Sequence, residues 1–205
     1  MANKDKYEQL YQLGRGVCGT PLKEFVEFFD SYNQEQADVL DLGCGQGRDA
    51  FLIARKGHHV LGVDVSLTGI AQMLADAKKE DLNIEGVVAD IVTFKPIDTY
   101  DVVLLDRVLH LLDDDDERTA VLETACQHTK TGGFILIVDT LKQKELLNNF
   151  LADRSHLWQK VKAKKNILFI WNHCGRVVPG LSAAAIGRDG RCQRTVQRQT
   201  DTSDI

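Results

Sequence analysis

The residues of this chain that could do chemistry concentrate between Asp41 and His110. Gly43-Cys44-Gly45-Gln46-Gly47 is a glycine loop, followed at once by Arg48-Asp49-Ala50. Glycines let a backbone turn sharply and come close to a ligand. A helix that starts after such a loop presents unpaired N–H groups. A pyrophosphate and the amino-acid end of a ligand are both suited to that geometry, so spacing must separate them. The dinucleotide fingerprint places its last glycine three residues after the second. Here that position is Arg48, and Gly47 comes one residue early. In the fingerprint the last glycine permits close helix–strand packing, which an arginine hinders. Asp41, just before the loop, is a second departure. A buried acid there orients the loop and accepts hydrogen bonds beside a cationic ligand, but is unhelpful beside a pyrophosphate.

Further acids follow at the ends of predicted strands. Asp64 lies about 20 residues beyond the loop, where a carboxylate can hold both hydroxyls of a ribose. Its alternative role is that of a helix N-terminal acid, since Asp64 and Ser66 precede a helix from Leu67. Asp90 is placed to accept from an adenine amino group with Ile91 against the ring, or else is a solvated turn acid. Asp106 and Arg107 read as cofactor or pocket groups. His110, just beyond, is the best-placed general base, or a residue that merely lines the pocket. Other features read as structural. Asp113 to Asp116 precede a helix, whose dipole negative charge complements. His58-His59 sits at a turn explained by Gly57. Cys44 has no paired histidine that would make it a nucleophile. No metal site is expected.

The elements that must position these residues are legible as periods. Pro21–Asp30 has apolar residues on one helical face, at Leu22, Phe25, Val26 and Phe29. Strands are expected at Ala37–Leu42, His59–Val63, Ile84–Ala89, Tyr100–Leu105 and Phe134–Val138, the last opened by Gly132-Gly133. Helices are expected at Arg48–Lys56, Leu67–Lys79, Asp114–Thr129 and Leu141–Asp153. Such alternation implies βαβ units and a parallel sheet, with ligands beyond the carboxyl ends of the strands. His156–Lys164 and Asn166–Trp171 form an antiparallel hairpin turning at Lys164-Lys165-Asn166. From residue 173 onward the positive charge is all arginine and the apolar period fades, which reads as a poorly ordered tail over 173–205; out-of-frame or fused sequence is one hypothesis for it.

The chain has 205 residues, 43% of them hydrophobic, and a formal net charge of −5. That length fits one domain, at roughly 100–200 residues per domain. The charge balance gives no general attraction to nucleic acid or anionic lipid. There is no signal-peptide pattern at the N-terminus and no run of about 18 apolar residues that would span a membrane. The five scattered cysteines form no CxxC pair and read as free thiols of a reducing cytosol. A cytoplasmic monomer or homodimer is expected, with no nucleic-acid or membrane partner.

Residues Asp41 to Ser66 resemble motif I and the following acidic strand end of class I S-adenosylmethionine-dependent methyltransferases. The run Gly43-Cys44-Gly45-Gln46-Gly47-Arg48-Asp49-Ala50, then Ala54, Gly57, Val60, Gly62-Val63-Asp64 and Ser66, is similar to the tellurite-resistance and thiopurine methyltransferase branch, which acts on small molecules. The resemblance covers roughly Tyr7 to Trp171. It implies an α/β, Rossmann-like seven-stranded sheet, mostly parallel with the last strand antiparallel, and helices on both faces. It implies S-adenosyl-L-methionine as cofactor, with Asp41, Gly43, Gly45 and Gly47 around its methionine part and Cys44, Arg48 and Val65 also among its binding residues. Asp64 would lie at the ribose and Asp90 and Ile91 at the adenine. Asp106, Arg107 and His110 would lie under the methionine and beside the acceptor. An N-terminal segment over residues 1–36, with Tyr7, Tyr11 and Gly14-Arg15-Gly16, would close over the cofactor of a domain spanning 37–172. The function this implies is in-line methyl transfer to a small molecule. A non-catalytic cofactor-binding protein and an NAD-dependent oxidoreductase are the alternatives.

Overall fold

The computed structural model describes residues 2–164 and 168–174. Two helices come first, α1 (Ala2–Leu13) and α2 (Lys23–Ser31). The alternating core follows: β1 (Asp38–Leu42), α3 (Arg48–Ala54), β2 (His59–Asp64), α4 (Leu67–Lys79), β3 (Ile84–Val88), β4 (Tyr100–Asp106), α5 (Asp115–Gln127) and β5 (Thr129–Val138). Last come α6 (Lys144–Asp153), β6 (Trp158–Lys164) and β7 (Leu168–His173). The seven strands form one sheet in the order β3-β2-β1-β4-β5-β7-β6. β1 to β5 pair in parallel, and β7 is antiparallel to both of its neighbours. β7 therefore runs against the other six, as the resemblance implied for the last strand. No described helix is long and apolar enough to cross a membrane.

Strands buried on both faces need apolar residues at nearly every position, and β1 and β4 supply them. Val39, Val102 and Leu104 face one layer, with Phe25 and Phe29 of α2, Ile53 of α3, and Ile70 and Met73 of α4. Leu40, Leu42, Val103 and Leu105 face the other, with Val121 and Leu122 of α5, and Leu147 and Phe150 of α6. Each such side chain contributes about 1.5–3 kcal/mol when fully buried.

The helix starts are set locally. Ser66 caps α4 by accepting from the Gly69 N–H at 2.9 Å. Asp114 caps α5 by accepting from the Glu117 N–H at 2.9 Å, while Glu117 accepts from the Asp113 N–H at 2.9 Å. Reciprocal capping of this kind accounts for part of the acidic run.

Several boundaries differ from the sequence reading. β5 begins at Thr129, ahead of Gly132-Gly133, because Thr129 pairs with Tyr100 across a register shift before Val102 meets Phe134. Gly132, at φ +86°, lies inside the strand rather than opening it. Two 3₁₀ turns, Leu109–Leu111 and Leu141–Gln143, were not foreseen. β7 ends two residues later than expected; of the expected turn at Lys164-Lys165-Asn166, Lys164 ends β6, and Lys165 and Asn166 lie outside the described residues. His173, assigned to the tail, ends β7 and stacks on Trp158 with ring centroids 4.7 Å apart. Residues 175–205 lie outside the described residues.

The strand order places the site. From β1 the chain winds outward through β2 and β3, then returns to β4 on the other flank of β1. The crevice beyond the carboxyl ends of β1 and β4 is the topological switch point, where open α/β sheets bind ligands.

Candidate functional site

A cavity of about 400 Å3 opens at that switch point. Its floor comes from strand ends: Asp41 from β1, Asp64 and Val65 after β2, Asp90 and Ile91 after β3, and Asp106 and Arg107 at the end of β4. His110 and Leu111 line it from the 3₁₀ turn after β4, and Leu112 from the residue that follows the turn. Tyr7, Leu10, Tyr11, Val17 and Cys18 line it from the N-terminal segment.

The glycine loop is built by its backbone. Gly43, Gly45 and Gly47 have φ of +83°, +55° and +82°, the left-handed region that side chains disfavour. A Cβ on Gly43 would lie 2.5 Å from Val108, and one on Gly47 2.5 Å from Met73. Gly47 caps α3 and lets α4 pack closely there. Its packing against Met73 parallels what the last glycine of a dinucleotide loop does, one residue earlier. Gly45 donates its N–H to Asp64 at 2.9 Å. Of the expected cofactor-binding positions, Gly43 and Cys44 line the cavity, whereas Gly45 and Gly47 shape the turn and are not part of the wall.

The acids differ in what already holds them. Asp64 accepts from the Gly45 N–H at 2.9 Å and the Ser66 N–H at 2.8 Å. Burial pushes its carboxyl up, and those two N–H groups oppose the shift. Asp90 accepts from the Val92 N–H at 3.1 Å. Asp41 is 2% exposed, and its Oδ2 has no hydrogen-bond partner among the described residues. Burial pushes Asp41 well above the ordinary carboxylate range, Asp49 adds to the push, and Arg48 opposes it. Cys44 is buried, and its thiol is pushed well up by that burial, which is the opposite of what activates a nucleophile.

Arg48 was expected to touch the cofactor. It lines the cavity, but its guanidinium is already committed to ion pairs with Asp49 and Asp106 and to the Cys18 carbonyl at 3.2 Å. It ties the start of α3 to the end of β4 and to the N-terminal segment. Arg107 has φ +56°, a strained value for a non-glycine residue. Its backbone N–H reaches the Val138 carbonyl at 2.6 Å, and its side chain turns to Asp106 at 3.3 Å. His110 is bonded through Nδ1 to Asp139 at 3.1 Å.

The N-terminal segment is fastened by polar contacts. Glu8 accepts from the Ser66 and Thr68 hydroxyls and from the Thr68 N–H at 3.3 Å. Gln46 donates to the Gly14 carbonyl at 2.6 Å and accepts from the Val17 N–H at 3.1 Å. Arg15 pairs with Asp76. Tyr11 is 4% exposed, and its hydroxyl occupies the space a Cβ on Gly45 would need. Leu10, Val17, Cys18, Gln46 and Asp49 line the cavity without having been singled out as binding residues from the sequence. Gln46 and Asp49 sat within the recognised loop motif. Leu10, Val17 and Cys18 reach the cavity by tertiary packing and carry no local signal.

Residues 39–133 match a family model described as a methyltransferase domain. Phosphoethanolamine N-methyltransferase 1 of Arabidopsis thaliana is 34% identical over 139 residues, covering 65% of this chain and 27% of that protein. The probable S-adenosyl-L-methionine-dependent methyltransferase TehB of Haemophilus influenzae is 32% identical over 109 residues, covering 53% of this chain and 37% of that protein. The chain thus spans well under half the length of these curated relatives. The crystal structure of the N-methyltransferase NodS from Bradyrhizobium japonicum WM9, in complex with S-adenosyl-L-homocysteine, superposes with a TM-score of 0.65 at 13% identity, covering 83% of this chain and 98% of that one.

Proposed function

We propose that the chain carries a class I methyltransferase domain of the TehB-like branch and is an enzyme transferring a methyl group from S-adenosyl-L-methionine to a small molecule. The observation that carries the reading is the buried, unpartnered Oδ2 of Asp41 at the foot of the glycine loop. An orphaned carboxylate oxygen is costly and is relieved by a cationic donor. S-adenosyl-L-methionine brings both an ammonium and a sulfonium. A pyrophosphate brings two negative charges to a wall that already carries Asp41, Asp49, Asp64, Asp90 and Asp106 against Arg48 and Arg107. The same contrast disfavours an NAD-dependent oxidoreductase.

In this reading Asp41, with the Gly43-Cys44 backbone, holds the methionine end. Asp64 accepts from the ribose hydroxyls, and Asp90 and Ile91 hold the adenine. Arg48, Asp106 and Arg107 keep the floor in shape beneath it. Tyr11 and its neighbours close the cofactor off from water. The sulfonium is already a good leaving group, so the protein's tasks are alignment of acceptor and methyl carbon in line with sulfur and exclusion of water. His110 stands at the acceptor side as the group able to take a proton.

Calorimetric titration tests the assignment. S-adenosyl-L-methionine and S-adenosyl-L-homocysteine should bind and NAD should not. Asp64→Ala removes a charged acceptor worth about 1.5–3 kcal/mol per hydrogen bond, so affinity should fall at least about tenfold in a folded variant. Unchanged affinity would overturn the site. Tight product binding without turnover of any acceptor would instead mark a non-catalytic binding protein.

A further inference from the structure

Asp139, the residue after β5, has no part in the cofactor site described above and does not line the cavity. It is 2% exposed, yet all its visible bonds converge on one neighbour and one turn. Its Oδ1 lies 3.1 Å from His110 Nδ1 and accepts from the Thr140 N–H at 2.6 Å. Its Oδ2 accepts from the backbone N–H of His110 at 3.2 Å. The carboxylate thus grips His110 twice, by backbone and by ring. An ionised carboxylate only accepts hydrogen bonds, so the ring nitrogen facing it must carry the proton. In the neutral ring, the other nitrogen is then a bare lone pair. Nε2 has no protein partner among the described residues, and His110 lines the cavity.

We propose that Asp139 is a positioning residue that fixes this tautomer of His110, so that Nε2 takes a proton from an amine acceptor. The inference rests on the methyl-transfer reading and names its acceptor class. Soft acceptors such as a thiolate or tellurite need no base. An imidazole serves alcohols too, in concert with their attack, although they bring no charge to the acidic wall. It suits an ammonium, whose pKa near 10 lies only a few units above that of imidazole. An acceptor that arrives as a cation also matches the acidic wall. The step balances as follows. The ammonium gives one proton to Nε2, and the freed nitrogen lone pair forms the bond to the methyl carbon. The sulfur–methyl bond breaks with its electron pair kept by sulfur. The products are a methylated ammonium, a neutral thioether and an imidazolium that returns its proton to water.

The test has a readout that needs no turnover. In 15N-labelled protein saturated with S-adenosyl-L-homocysteine, long-range 1H–15N spectra report each histidine tautomer, and His110→Ala assigns the signal. The wild type should show His110 protonated on Nδ1 with a bare Nε2. Asp139→Asn should lose that fixed tautomer with product affinity unchanged within about threefold. A wild-type His110 protonated on Nε2, or the same tautomer in Asp139→Asn, would overturn the proposal, and the wild-type spectrum decides even if the variant fails to fold. Product release is then measured with ethanolamine, a peptide with a free α-amine, tellurite and 2-mercaptoethanol. An amine should be methylated. The rate should fall by about 100-fold or more in His110→Ala and in Asp139→Asn, within the usual range for general-base catalysis. It should fall no further in the double variant. Losses that multiply in the double variant would make Asp139 merely structural. Turnover of tellurite or the thiol alone, or of neither amine, would sink the acceptor class. Failure of the wild type to bind S-adenosyl-L-homocysteine would sink the methyltransferase reading itself, a separate outcome.

Discussion

Asp41 holds its carboxyl in a place that favours the protonated form, because burial raises it and the neighbouring Asp49 raises it further. The sign of the consequence follows from linkage. A folded state with a raised pKa binds more protons than the unfolded chain, so this residue's contribution to stability falls as pH climbs above the ordinary carboxylate range. A cationic ligand reverses the preference by favouring the ionised form. S-adenosyl-L-methionine should therefore expel protons as it binds. Titrations in buffers of different ionisation enthalpy should show that release, affinity should rise with pH, and Asp41→Asn should lose most of both effects. Full proton release in the Asn variant would assign the proton elsewhere. Asp41 was legible because it stands just before the glycine loop, and Asp64 because it ends the next strand, about 20 residues beyond that loop. Asp139 was not singled out, although it too ends a strand, because its meaning lies in a contact with His110, 29 residues away in sequence.

At the scale of elements, the glycine loop couples ligand geometry to folding. Gly43→Ala puts a side chain at φ +83° and against Val108. Such strain costs of order 1–3 kcal/mol, and thermal unfolding should report the loss together with weaker cofactor binding. Normal stability would mean that the loop relaxes. The alternating core was readable from period alone, since buried parallel strands must be apolar and the helices between them amphipathic. The start of β5 was not, because a double glycine looks like a strand opener when it in fact absorbs a register shift inside the strand. The resemblance implied, through Tyr7 and Tyr11, that the N-terminal segment closes over the site, but how α1 is fastened there was not legible. The helix is mostly exposed, and Glu8, Gln46 and Arg15 hold its region down through polar contacts that leave no apolar stripe to detect.

For the whole molecule, one sheet with two covered faces carries both the stability and the site. Leu104 and Leu105 are adjacent, fully buried, and belong to opposite layers. Leu104→Ala and Leu105→Ala should each cost about 2–5 kcal/mol, read by urea unfolding with an unchanged denaturant slope. A loss confined to one probe would mean that the two layers unfold separately. The cavity inherits a division from this architecture. Its floor is the rim of the core sheet, while the wall formed by Tyr7, Leu10, Tyr11, Val17 and Cys18 belongs to a segment fastened from outside by Glu8. Hydrogen bonds from Ser66 and Thr68 hold the Glu8 carboxyl below its usual range, so the fastening strengthens as Glu8 ionises. Changes to the floor should alter how tightly a ligand is held. Changes to the fastening should alter how long it stays: Glu8→Ala should speed the escape of S-adenosyl-L-homocysteine in stopped-flow displacement. The thioether product would then leave on a clock set by a surface helix, and residence time would be adjustable without touching any atom that recognises the ligand.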